Sequence, residues 1–159
     1  IDFLEKQVSD GMIRQVKGND YLEDMVNGDA VAVIGWSGDI FSLANVNAGK
    51  FAFAIPESGG MLWSDNTIIP TTSKNKKNAQ AVINNYYDPA VAAQVAAYVN
   101  YVCPVVGAQA EMEKIDPELA KSPFIFPDDA TLAKVKVFRP LSPEEETTFG
   151  EAFASASGN

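Results

Sequence analysis

The chain has 159 residues, 47% of them hydrophobic, with 11 glycines and 9 prolines, a composition that suits one globular domain or two small lobes and excludes a low-complexity or disordered chain. Its 12 Lys+Arg against 21 Asp+Glu give a net charge of −9, which argues against nucleic acid or an anionic membrane surface as partner and leaves a cationic ligand open. With no histidine and only one cysteine, Cys103, the chain can build no internal disulfide, no Ser-His-Asp or Cys-His arrangement and no ordinary zinc ligand set, and no metal or other cofactor is expected.

The N-terminal stretch IDFLEKQVSDGMIRQVKGND is too polar for a signal peptide and reads as the start of a mature or cut-down chain. No run of about 18 apolar residues follows, so no membrane-spanning helix is predicted. In NDYLEDMVNGD, Asn19 or Asp20 caps a helix with an apolar stripe at Leu22, Met25 and Val26 and a stop at Gly28. AVAVIGW, Ala30 to Trp36, is a continuous apolar run, the pattern of a strand buried on both faces. FAFAIPE, Phe51 to Glu57, is a second such strand, closed by Pro56. GGMLWSDNTIIP reads as a third, interrupted by Trp63, Ser64, Asp65 and Asn66.

SKNKKNAQAVINNYYD carries Ala79, Val82, Ile83 and Tyr86 at helical spacing. DPAVAAQVAAYVNY starts another helix, with Asp88 as N-cap, Pro89 at its first position, and Ala92, Val95, Ala96 and Val99 on one face. Between Gly107 and Ala133, Pro117, Pro123 and Pro127 break the chain into pieces of about one helical turn each. LSPEEETTFGEAFASA ends the chain with a capping box, Ser142 and Glu145, and an apolar face of Phe149, Ala152, Phe153 and Ala156. The sum is an α/β chain of at least three buried strands and four helices.

Acid pairs such as Asp128 with Asp129, or Glu144 to Glu146, have the chemistry of a glycosidase; loop solubility and a helix N-terminus account for them more simply. The Trp63–Asp65 spacing is more informative. In a strand, residues i and i+2 face one common space. A carboxylate facing a core must lose its hydration at a cost of several kcal/mol, so a solvated cleft suits it better. An indole beside a carboxylate suits an ammonium group, which gains about 0.5–2 kcal/mol over the ring and a charge-assisted hydrogen bond from the acid. Trp36, framed by Gly35, Ser37, Gly38 and Asp39 at the end of a predicted strand, stands where an open sheet presents its carboxyl edge to a ligand.

AVAVIGWSGDI, followed by FAFAIPESGGMLWSDNTIIPTTSKNKKNAQAVINNYYDPAVAAQVAAYVNYVCPV, resembles the C-terminal half of the spermidine/putrescine-binding proteins, the extracytoplasmic receptors of polyamine ABC transporters. The shared pattern runs in order over residues 30 to about 105: an apolar strand ending in W-[SN]-G, a proline-containing strand, G-G-x-x-W-x-D-x-x-x-I-P, a lysine-rich turn, A-x-x-x-I-N, D-P-x-V-A and Y-x-x-P. Residues 1–29 and 110–159 agree in element order more than in residue identity.

The resemblance implies a periplasmic-binding-protein-like (type II) α/β fold, in which a ligand lies between two lobes joined by crossing strands, aromatic side chains sandwich its methylenes and carboxylates hold its amines. By position, Trp36, Trp63 and Tyr101 match the family's aromatic contacts and Asp65 the carboxylate that grips an amine. Ser37 and Asp39 receive no role. A position that is usually an amide falls on or near Arg139, whose charge would repel a polyamine and favour another solute if it faces the cleft. Family members are roughly twice this length.

The resemblance therefore assigns residues 1–63 and 108–159 to the second lobe and 64–107 to a hinge strand and helical pair completing the first, most of which is absent here. The expected partners are a small cationic amine, an ABC transporter permease, and either the missing lobe or a second copy of the chain. The expected location is periplasmic or extracellular at the membrane. Three alternatives stand beside a non-catalytic polyamine receptor: a receptor of the same superfamily for a different solute, a carboxylate-based hydrolase, and a structural module.

Overall fold

The computed structural model describes residues 1–47 and 49–158. They form two compact units, one of residues 1–35 and 139–158, the other of residues 36–47 and 49–138.

The first unit contains α1 (Asp2–Ser9), α2 (Tyr21–Asn27) and the C-terminal helix α8 (Pro143–Ser157), with α1 packed on α8. The predicted ends of α2 are where the structure has them. Asp20 occupies the N-cap and Gly28 ends the helix at φ 80°, a left-handed conformation that glycine adopts without steric cost. The Asp20 side chain, however, makes no cap hydrogen bond and lies 3.5 Å from the Lys17 ammonium. Lys17 also pairs with Asp24 at 2.8 Å, and that hydrogen bond raises the lysine pKa and lowers that of the acid. At the start of α8 the capping box forms as predicted: Glu145 N–H donates to Ser142 Oγ at 3.2 Å, and Ser142 N–H donates to Glu145 Oε2 at 2.9 Å. Of the apolar face of α8, Ala156 is buried, while Phe149 and Phe153 are exposed.

The second unit holds α3 (Ser37–Val46), β1 (Gly60–Leu62), α4 (Lys76–Tyr86), α5 (Pro89–Val99), α6 (Ala108–Ile115), α7 (Asp129–Leu132) and β2 (Val135–Val137). Its core is built on α5 and α6. Ala92, Ala93 and Ala96 of α5 meet Ala108 and Met112 of α6, with Ala120 and Ile125 closing the cluster. Alanine at these positions lets helix backbones approach closely and leaves Met112 and Ile125 to supply the volume. Asp88 caps α5 as expected, accepting from Ala90 N–H at 2.9 Å and Val91 N–H at 3.4 Å. The stripe predicted for α4 is only half used: Ala79 and Ile83 are partly covered, whereas Val82 and Tyr86 are exposed. The proline-broken segment is more ordered than its sequence suggests, because α6 completes two turns before Pro117, and a 3-10 turn at Leu119–Lys121 follows.

The strand predictions need correction. The structure's sheet, among the described residues, is one parallel pair, with Gly60, Met61 and Leu62 opposite Val135, Lys136 and Val137. Among the described residues, Ala30–Trp36 is not assigned as a strand and is not buried on both faces: Val31 and Ile34 are fully exposed. A continuous apolar run specifies a buried strand only where neighbours flank it on both edges, and among the described residues no strand flanks this one. Phe51–Glu57 likewise joins no ladder among the described residues, yet its burial alternates: Phe51, Phe53 and Ile55 are half-buried and the residues between them exposed. It is an extended segment laying one face on the protein, with Phe53 against Phe41 and Phe124 at ring-centroid distances of 6.0 and 5.4 Å. The third predicted strand is confined to Gly60–Leu62, and the chain from Trp63 to Pro70 is irregular.

Candidate binding site

Within the second unit, three of the five predicted site residues come together. Trp36 occupies the N-cap of α3 with extended backbone (φ −80°, ψ 134°). Trp63 follows directly on β1, whose pairing with β2 fixes where the strand delivers it. Tyr101 follows Asn100, which ends α5 in a left-handed conformation (φ 58°) and is itself 7% exposed. Asparagine tolerates that conformation better than other side-chain-bearing residues.

The Trp36 and Trp63 ring centroids are 5.3 Å apart with planes at 73°, and Trp63 meets Tyr101 at 5.8 Å and 69°. Both contacts are edge-to-face, the arrangement favoured by the ring quadrupole and worth about 0.5–1.5 kcal/mol each. Trp36 is 45% exposed and Trp63 39%. Neither indole is covered as a core side chain would be, and both keep ring surface open to solvent.

The cluster also includes the Asp39 carboxylate, to which the family resemblance gives no role. The Tyr101 hydroxyl donates to Asp39 Oδ1 at 3.1 Å, across 62 positions of sequence. Once α3 is recognised, the signal for Asp39 is simple: it lies three residues after Trp36 in the helix's first turn, where i and i+3 share a face and the helix dipole favours negative charge. Reading Trp36 as the end of a strand hid that spacing. The arrangement places aromatic faces, which can attract a cation, beside an acid that can accept hydrogen bonds.

The other two predicted residues have surroundings of their own. Asp65 is exposed in the irregular segment after β1, so the i, i+2 argument for a common side does not apply to it. Arg139 belongs to the first unit and is engaged by Glu145, its Nη2 and Nη1 reaching the two carboxylate oxygens at 2.7 and 3.0 Å. One acid of each predicted group has a structural partner. Asp128 caps α7 by accepting from Thr131 N–H at 2.8 Å, and hydrogen bonds from the Thr131 side chain and then its backbone lower the Asp128 pKa; Glu145 serves the cap of α8.

Residues 1–126 match the family model for bacterial extracellular solute-binding proteins, and the chain belongs to that family. Among curated relatives, it is 28% identical over 137 residues to a putrescine-binding periplasmic protein of Escherichia coli, covering 83% of this chain and 36% of that protein. It is 33% identical over 116 residues to a spermidine/putrescine-binding periplasmic protein of Salmonella typhimurium, covering 73% and 31%. It is also 28% identical over 116 residues to a putrescine/agmatine-binding protein of Pseudomonas aeruginosa, covering 69% and 30%. The chain spans about a third of the length of these relatives. Family membership carries the coarse fold, that of a solute-binding protein built from helices and strands.

Proposed function

We propose that this chain is part of a periplasmic receptor that captures a polyamine, such as putrescine or spermidine, and delivers it to the permease of an ABC importer. The observation that carries the reading is the half-exposed Trp36–Trp63–Tyr101 cluster with the Asp39 carboxylate hydrogen-bonded into it. The curated relatives' names, which specify putrescine, spermidine and agmatine, support the same ligand chemistry. In this reading the indoles and the phenol hold the methylenes and ammonium groups of the ligand, and Asp65 holds an amine. Arg139, ion-paired with Glu145, has its charge compensated and is compatible with a cationic ligand.

Residues 1–63 and 108–159 belong, on this proposal, to the second lobe of a type II binding protein, and residues 64–107 complete the first. The exposed apolar side chains Val31, Ile34, Val82 and Tyr98 are then surfaces covered by the rest of such a receptor or by a second copy. Sedimentation of the 159-residue chain at low micromolar concentration tests this part. Association, or avid binding of a hydrophobic dye, is the expected result, and a dye-free monomer near 17 kDa would count against it.

Calorimetry tests the ligand assignment in the receptor containing this chain. Asp65→Asn keeps the shape and removes the charge, and is expected to cost about 1.5–3 kcal/mol, roughly 10- to 150-fold in affinity. Trp63→Leu is expected to cost about 0.5–2 kcal/mol. Unchanged affinity in Asp65→Asn would remove that residue from the site. Failure of the wild type to bind any polyamine would favour a receptor for another solute.

A further inference from the structure

We propose that Gly38 is a positioning residue of the aromatic site: the space left by its missing side chain is the seat of the Tyr101 ring. The inference rests on the reading of the cluster as the amine site and deepens it.

Gly38 is the second residue of α3 and is buried. Its φ is not in the left-handed region, so nothing in the backbone requires glycine, and alanine would be the better helix former. What requires it is the neighbour. A Cβ at Gly38 would meet Cε2, Cδ2 and Cζ of Tyr101, the last at 2.7 Å, well inside van der Waals contact.

Such a clash is cheap when the opposing atom is the end of a free side chain. Here it is a ring held at its hydroxyl, against Trp63 and at its backbone. The Tyr101 hydroxyl donates to Asp39 Oδ1, the ring meets Trp63, and the backbone emerges from the buried left-handed turn at Asn100. Any side chain at position 38 must therefore push the ring off α3, breaking its edge contact with Trp63 and withdrawing its hydroxyl from Asp39. Gly150, within α8, makes the contrast: a Cβ there would meet nothing within 4 Å.

The test uses the receptor containing this chain, with Gly38→Ala, Tyr101→Leu, the double variant and Gly150→Ala as control. It is read by near-ultraviolet circular dichroism without ligand and by calorimetry with putrescine and with spermidine. Gly38→Ala should change the aromatic spectrum and weaken binding about tenfold, while Gly150→Ala leaves both unchanged. In the Tyr101→Leu background the ring is gone, and adding Gly38→Ala should cost less than about twofold, since coupled residues are not additive. If Gly38→Ala fails to fold, recovery of folding in the double variant supports the proposal, and equal failure overturns it. A Gly38→Ala protein with a wild-type spectrum and affinity, or a tenfold loss that persists without the Tyr101 ring, also overturns it. If the wild type binds no polyamine, the functional reading falls, and the ligand-free spectra still decide whether Gly38 seats the ring.

Discussion

The α5–α6 region and the run from Ala30 to Ile34 are both strongly apolar, and they meet opposite fates. In the first, Ala92, Ala93, Ala108 and Met112 are completely buried; in the second, Val31 and Ile34 are completely exposed. Composition does not separate them, but backbone hydrogen bonding does. A helix satisfies its peptide groups within itself and needs from elsewhere only a surface to pack on, which α6 supplies to α5 from the next segment of sequence. An extended run must find its hydrogen-bonding partners in another strand. Among the described residues no strand ladder includes Ala30–Ile34, although the Ala30 N–H donates to the Asp24 carbonyl at 3.1 Å, and Val31 and Ile34 stay exposed.

This contrast gives the largest predicted effect. Met112→Ala or Ile125→Ala removes most of a fully buried side chain from the helical core and is expected to cost about 2–5 kcal/mol in urea unfolding. Ile34→Ala in the same chain is expected to change stability by no more than about 0.5 kcal/mol, as for other surface substitutions. The comparison sharpens in a receptor of the relatives' length. If neighbouring strands there enclose Ala30–Ile34, the cost of Ile34→Ala should rise into the range of the helical core. Equal costs at Ile34 and Met112 in the 159-residue chain would break the comparison.

The same physics explains what was legible in the sequence. Helix α5, its Asp88 cap, the Gly28 stop and the Ser142–Glu145 capping box could be read because each depends on residues within a few positions of one another. The strands could not be fixed this way, since whether Ala30–Trp36 or Phe51–Glu57 joins a sheet depends on a partner distant in sequence. The pairing of Gly60–Leu62 with Val135–Val137 spans such a distance, and β2 left no pattern long enough to notice. At the site, Trp36, Trp63 and Tyr101 were found by residue type and resemblance, whereas Asp39 needed α3 to be seen as a helix and its bond to Tyr101 needed the fold. The half-exposed α4 stripe shows the limit of periodicity: it identifies the face of a helix without supplying what covers it.

Local signals also make a smaller prediction about the well-packed region. Asp88→Ala leaves the Ala90 and Val91 N–H groups without their acceptor while the packing of α5 on α6 stays in place. It should cost about 1 kcal/mol, within the 0.5–2 kcal/mol range for lost N-caps. This is measurable as a shift of the urea midpoint at constant slope. A cost as large as that of Met112→Ala would mean that the cap, and not the alanine–methionine contact, holds this region together.

The smallest effect belongs to α8, where Phe149 and Phe153 remain exposed and the local cap takes a larger share of the work. The Arg139 guanidinium, followed by the Ser142 N–H, holds the Glu145 carboxyl down at about 2, against an ordinary value of 4.5. Because the folded-state value is the lower one, the stabilisation from this carboxylate is complete above about pH 4.5 and is lost as the pH falls toward 2. Both partners are substantially exposed, 62% for Arg139 and 38% for Glu145, so water and salt screen the pair and its contribution stays small. Glu145→Gln is the discriminating variant: glutamine can still reach back to the Ser142 N–H in a capping box, so only the charge is removed. Between pH 4.5 and 2 the wild type should lose stability more steeply than Glu145→Gln, and the difference should shrink in 1 M salt. Parallel pH profiles at low salt would show that the Arg139–Glu145 pair adds nothing and that α8 is held by its capping hydrogen bonds and its packing on α1.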